Sequence, residues 1–183
     1  SSVDAALAAA RSGWEAGYRH LKLKVGLARP EEDAEAVLAL RAALGPAAHL
    51  SADANMAWTV PQALEFARRL GPGQLDYLEQ PVADDDWRGM AAVQAEIGFP
   101  LCVDEGLHGL EDIDRAAAAG AARGVGLKAI KLGGAIAVLR ADARCVALGM
   151  AQTLACKISE SSIGAATTAH LACLLNDVSW GVS

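Results

Sequence analysis

Three carboxylates close three short apolar runs: Asp53 after His-Leu-Ser-Ala, Glu79 after Leu-Asp-Tyr-Leu, and Asp104 after Pro-Leu-Cys-Val. Brought into one cavity, they repel one another and each resists ionisation. A divalent cation removes that conflict. Oxygen donors select a hard ion, and a set of few protein ligands that leaves places for water and substrate suits magnesium. Any one of these carboxylates reads equally well as a helix cap or half of an ion pair. Their recurrence at successive strand ends is what argues for a shared site.

Lysines surround the same positions. Lys22 and Lys24 alternate with apolar residues in Leu-Lys-Leu-Lys-Val. On a strand that spacing puts both ammonium groups on one face and Leu21, Leu23 and Val25 on the other. Inward lysines need a negative partner. Crowded ammonium groups lower each other's pKa, which suits a base. Taken alone, the same pattern also fits an edge strand with a solvated lysine face. Lys128 and Lys131 lie in Leu-Lys-Ala-Ile-Lys-Leu-Gly-Gly. On a regular strand their odd spacing sends them to opposite faces, and Lys128, in the strand body, is expected inside. Lysines on opposite sides of a carbon acid can remove a proton from one face and return one to the other.

Weaker candidates stand nearby. Asn55 and Glu105 adjoin two of the carboxylates and are expected either to support them or to serve only their own loops. Glu160 is expected to line the same mouth or to cap the helix that follows it. His170, in an Ala-rich helical stretch, reads as packing. Trp58 and Trp87 either wall the pocket or pack loops.

The elements that must position these residues alternate along the chain. Helices are predicted over 3–16, 30–44, 60–70, 87–97, 110–119, 135–148 and 164–175. Strands are predicted over 20–25, 49–53, 76–79, 100–104, 125–132 and 152–158, with a last one beginning at Val178. Such alternation implies parallel strands with helical crossovers, an α/β class. Lys24, Asp53, Glu79, Asp104 and Lys128 recur about every 25 to 30 residues, roughly one βα unit. A closed parallel barrel brings its C-terminal strand ends to one mouth, whereas an open sheet spreads them along a line. A TIM-type barrel is therefore expected. Gly133-Gly134 lacks the rest of a nucleotide-binding fingerprint.

Gross composition agrees. The 183 residues are 53% hydrophobic, mostly Ala-rich with only 4% aromatic, which suits close packing of helices on a sheet rather than disorder. A formal charge of -6 argues against nucleic acid as a partner. Asp84-Asp85-Asp86 reads as a solvated loop. Cys102, Cys145, Cys156 and Cys173 form no CxxC and read as reduced, mostly buried thiols of a cytoplasmic protein. No apolar run approaches a membrane span.

Together the segments Leu-Lys22-Leu-Lys24-Val-Gly, Asp53-Ala-Asn55, Leu-Glu79-Gln80-Pro81, Asp104-Glu105, Lys128-Ala-Ile-Lys131-Leu-Gly-Gly and Cys-Lys-Ile-Ser-Glu160-Ser-Ser-Ile-Gly resemble, in order, the muconate-lactonizing subgroup of the enolase superfamily. The chemistry that this resemblance implies is a Lys or His base beside magnesium, which stabilises an enediolate. The resemblance implies Asp53, Glu79 and Asp104 as ligands of Mg2+, with Mn2+ as a substitute. It implies Lys24 and Lys128 as the acid/base pair, and Lys22 holding the substrate carboxylate and tuning Lys24. It also implies a (β/α)7β barrel whose first strand and N-terminal capping domain lie outside residues 1–183, and a homo-oligomeric full-length protein acting on a small carboxylate. The first expectation for the reaction is racemisation or epimerisation of an amino-acid derivative. The second is β-elimination, as by a cycloisomerase, o-succinylbenzoate synthase or dehydratase. A Schiff-base lysine enzyme, which a chelator leaves active, and a non-catalytic binding module also stay open on the residues alone.

Overall fold

Among the described residues, 3–183 of the computed structural model, six strands form one parallel sheet in chain order. After helix α1 (Val3–Glu15), the chain runs through β1 (His20–Lys24), α2 (Pro30–Leu44), β2 (His49–Asp53), α3 (Val60–Leu70), β3 (Tyr77–Glu79) and α4 (Trp87–Glu96). It continues through β4 (Leu101–Val103), α5 (Leu110–Ala119), β5 (Gly124–Leu127), α6 (Ala129–Leu132), α7 (Ala135–Leu148), β6 (Ala151–Leu154) and α8 (Ser162–Ala172). This is a partial (β/α) barrel, as the resemblance implies; the alternation of elements accounts for its parallel strands. Residues 1 and 2 of the expected 1–183 barrel unit lie outside the described residues.

Local chemistry sets the boundaries. Pro30 opens α2, three acidic residues occupy its first turn and Arg41 its last, matching the helix dipole at both ends. In α3, Gln62 reaches back to the backbone N–H and hydroxyl of Thr59, both at 2.9 Å. The outer faces of the strands supply Leu50, Leu78, Leu101, Val103, Val125, Leu127 and Leu154 to the core. Helices cover them with Val37, Leu40, Phe66, Met90, Val93, Ile113 and Val138.

Three predicted strands change, the one over 152–158 by stopping at Leu154. The stretch 125–132 is not one strand: β5 stops at Leu127, Lys128 is the N-cap, and α6 follows and ends at Gly133 with φ 94°. The last predicted strand shrinks to one parallel bridge between Leu154 and Val182. That terminal segment nonetheless fills the lower interior. Trp180 stacks on Tyr77 with ring centroids 4.4 Å apart, and a Cβ on Gly124 would lie 2.4 Å from its indole. Glycine is required there because the indole occupies the side-chain space.

No described helix is long and apolar enough to cross a membrane. All four cysteines are free; Cys102 and Cys145 are buried, Cys156 is half-buried and Cys173 exposed. Burial, with Asp142 and Asp177 nearby, pushes the Cys145 thiol up to about 12. Iodoacetamide on the native protein is expected to label Cys173 first and Cys156 next. Cys102 and Cys145 should react at least roughly tenfold more slowly until denaturant is added. Peptide mass spectrometry reads this, and early labelling of Cys145 would contradict the packing.

Candidate functional site

Strand register brings the charged residues to one end of the sheet. Lys24 is level with Asp53, and Asp53 with Glu79. Glu79 is level with Cys102, so Asp104 stands two residues higher on the next strand. Lys128 stands two residues above Gly126, at the end of β5. Alternation along β1 sends Lys22 and Lys24 inward while Leu21 and Leu23 pack on the core.

Asp53, Glu79 and Asp104 are buried, at 2%, 2% and 3% exposure, so each needs a countercharge. Lysines provide it. Lys22 Nζ donates to Glu79 Oε2 at 2.6 Å. Lys24 donates to Asp53 Oδ2 and, at 2.8 Å, to Asn55 Oδ1. Lys128 donates to Asp104 Oδ2. Lys131 donates to the backbone oxygen of Asp104 and sits 3.2 Å from its Oδ1. Asn55 also donates from Nδ2 to Glu105 Oε1 at 2.9 Å, and from its backbone N–H to Asp53 Oδ1 at 2.9 Å. All these residues line one cavity of about 590 Å³.

The charges do not balance evenly. Burial, with Asp53 and Asp104 adding repulsion, pushes Glu79 up to about 7 despite the Lys22 ammonium beside it. Burial pulls Lys22 down, but Glu79 and Tyr77 outweigh it and its pKa is raised. Burial works the same way on Lys128, and its bond to Asp104 again outweighs it. For Asp104, burial favours the neutral acid, yet Lys128 and Lys131 together hold the carboxyl below its usual range. The expectation that the crowded ammonium groups of β1 depress one another is therefore corrected for Lys22. Lys22 and Lys128 each donate directly to a buried carboxylate, and that contact favours the charged ammonium.

Among the described residues, no group of three His, Cys, Asp or Glu side chains closes to metal-ligand geometry. Each carboxylate faces a lysine instead. The donor chemistry still fits a hard divalent cation, because three buried carboxylates on neighbouring strands supply only oxygen. Glu105 Oε2 is buried with no hydrogen-bond partner among the described residues, a further acceptor without a donor.

Lys131 joins the cavity although the spacing rule excludes it. That rule assumes a strand through Leu132, and the chain turns helical after Lys128, which brings both lysines to Asp104. The Leu-Gly-Gly that follows is a helix stop and was the one signal of that turn in the sequence. His108 and Asp84, 3.9 Å apart, also line the cavity. Glu160 lies outside its lining; Oε2 accepts from the backbone N–H of Lys157 at 3.0 Å, and Ser161 caps α8 instead. Trp58 packs against Phe66, and Trp87 packs against the core with Arg115 over its ring. His170 is exposed rather than packed, because α8 turns an uncovered face outward.

A model of the family described as "Enolase C-terminal domain-like" matches residues 5–182. The N-succinylamino acid racemase of Thermus thermophilus is 37% identical over 173 residues, which cover 94% of this chain and 45% of that protein. The solved dipeptide epimerase of Enterococcus faecalis superposes with a TM-score of 0.92 at 27% identity, over 100% of this chain and 52% of that one. Muconate cycloisomerase of Pseudomonas fluorescens superposes at 0.89 with 33% identity, over 96% and 49%. The chain spans about half the length of these relatives.

Proposed function

We propose a function from one premise: the chain belongs to the enolase superfamily, as its muconate-lactonizing and mandelate-racemase C-terminal barrel domain. Residues 1–183 act as one catalytic barrel unit that takes a proton from beside a substrate carboxylate and passes through an enediolate. The reaction is racemisation or epimerisation of an amino-acid derivative. The observation that carries this reading is that Lys24 and Lys128, paired with different carboxylates on different strands, line the same cavity.

Asp53, Glu79 and Asp104 would hold Mg2+, with Mn2+ as a substitute. When bound, the cation supplies positive charge for the carboxylate on which a second negative charge develops. Lys22, deep in the cavity beside Glu79, contributes a fixed ammonium toward the substrate carboxylate. Lys24 or Lys128 removes the α-proton, and the other returns one to the opposite face. Asn55 orients Lys24 through its Oδ1, and Glu105 fixes the Asn55 amide from the far side. The substrate class is supported by what two relatives are called, a racemase of N-succinylamino acids and a dipeptide epimerase. The protein is proposed to work on a small molecule in the cytoplasm as a homo-oligomer.

Resemblance to a muconate cycloisomerase at 33% identity favours a second reading, β-elimination or cycloisomerisation from the same enediolate. The test is proton exchange in D2O with magnesium, using both enantiomers of N-acylated amino acids and paired dipeptide epimers. Deuterium entering the α-position from both stereoisomers is expected. Exchange from one stereoisomer only, with loss of a β-group, would move the assignment to elimination.

A further inference from the structure

Gln80 ties together the three strand ends that carry the carboxylates. Its backbone N–H donates to Cys102 O at 2.9 Å, joining β3 to β4. Its backbone oxygen accepts from Met56 N at 2.8 Å, joining β3 to the loop after β2. Its side-chain oxygen Oε1 accepts from the backbone N–H of Asp104 at 3.0 Å and of Gly106 at 3.2 Å. Its Nε2 donates to Val82 O at 3.1 Å. Because both groups facing Oε1 are donors, the orientation of the amide is fixed by its partners.

Two features set this residue apart from ordinary packing. It is only 1% exposed, so an apolar side chain of similar volume would suit the position unless the amide has work to do. It also holds φ 33°, in the left-handed region, immediately before Pro81. Glycine adopts that φ without steric conflict but brings no amide. Backbone strain of this kind persists where the surroundings over-determine it, and such places cluster at functional sites. The loop it grips leaves little slack: a Cβ on Gly106 would lie 2.8 Å from Asp84 O.

We propose that Gln80 is a positioning residue for the cation site. Its buried amide sets the height of Asp104 against Glu79, and so the mutual placement of the three carboxylates. This rests on the reading of Asp53, Glu79 and Asp104 as the cation holders.

The test measures Mn2+ binding by electron paramagnetic resonance on wild type and Gln80→Met, which keeps the length and apolar volume and removes both acceptor and donor. Circular dichroism and melting confirm the fold, and hydrogen exchange at the Asp104 and Gly106 amides confirms that their acceptor is gone. Wild type should bind, and Gln80→Met should bind at least about tenfold more weakly at unchanged secondary structure. If Gln80→Met does not fold, Gln80→Asn, which keeps the amide but withdraws it by one methylene, carries the same expectation. A lowered melting temperature with unchanged Mn2+ affinity overturns the proposal and leaves Gln80 a structural clasp. Wild type that binds no Mn2+ overturns the cation reading itself, and the role of Gln80 with it.

Discussion

Lys128→Met should reduce turnover by roughly a thousandfold or more, within the range that positioned acid/base groups contribute. Methionine keeps most of the side-chain volume and removes the ammonium. Asp104 keeps Lys131, which reaches both its backbone oxygen and its carboxylate, so the variant is expected to remain folded. The informative quantity is stereochemical. With only Lys24 left to touch one face of the α-carbon, deuterium should wash in from one stereoisomer while the other stays inert. Lys24→Met should show the mirror-image pattern. Proton NMR in D2O reads both variants against both substrates. Equal residual exchange from the two stereoisomers in either variant would remove the two-lysine arrangement, whatever the substrate.

Chelation should have an effect as large. EDTA is expected to abolish turnover, and Mg2+ or Mn2+ to restore it, because the proposed reaction needs the cation's charge where a second negative charge develops on the substrate carboxylate. Asp53→Asn should cost about a thousandfold in kcat/KM and weaken cation binding. Thermal melting gives a readout without substrate. Cation binding to the folded state alone stabilises by about 2.7 kcal/mol at a hundredfold excess over Kd. For a domain of this size that raises the melting temperature by several degrees. Activity that survives EDTA, together with a substrate adduct trapped on a lysine by borohydride, would instead identify a Schiff-base enzyme.

Much of this site was legible because parallel-barrel architecture writes strand ends into the chain at regular intervals. Asp53 and Glu79 end β2 and β3, and Lys24 ends β1, where the apolar runs place them. The inward face of β1 follows from alternation alone. What stayed hidden depended on where the backbone stops obeying that alternation. Lys131 needed the turn from β5 into α6, and a short apolar run does not distinguish strand from helix. Gln80 drew no reading of its own in the sequence, because its side-chain hydrogen bonds go to residues 24 and 26 positions away. The pKa directions of Lys22 and Lys128 depended on distances to carboxylates on other strands. His170 reads as packing only if something covers α8, and composition carries no information on that.

Trp180, stacked on Tyr77 over Gly124, lies beneath the level of the carboxylates, because Tyr77 precedes Glu79 by two residues on β3. The stacked rings thus lie on the side of the sheet away from the strand ends, where the proposed site would receive both reactant and product. For a reaction that interconverts mirror images, the equilibrium constant is one, so the forward and reverse values of kcat/KM must be equal. With one site serving both, each enantiomer would also be a competitive occupant against the other from the first turnover. Progress curves started from either side should therefore bend early and meet at the racemic mixture, with the curvature set by the two KM values.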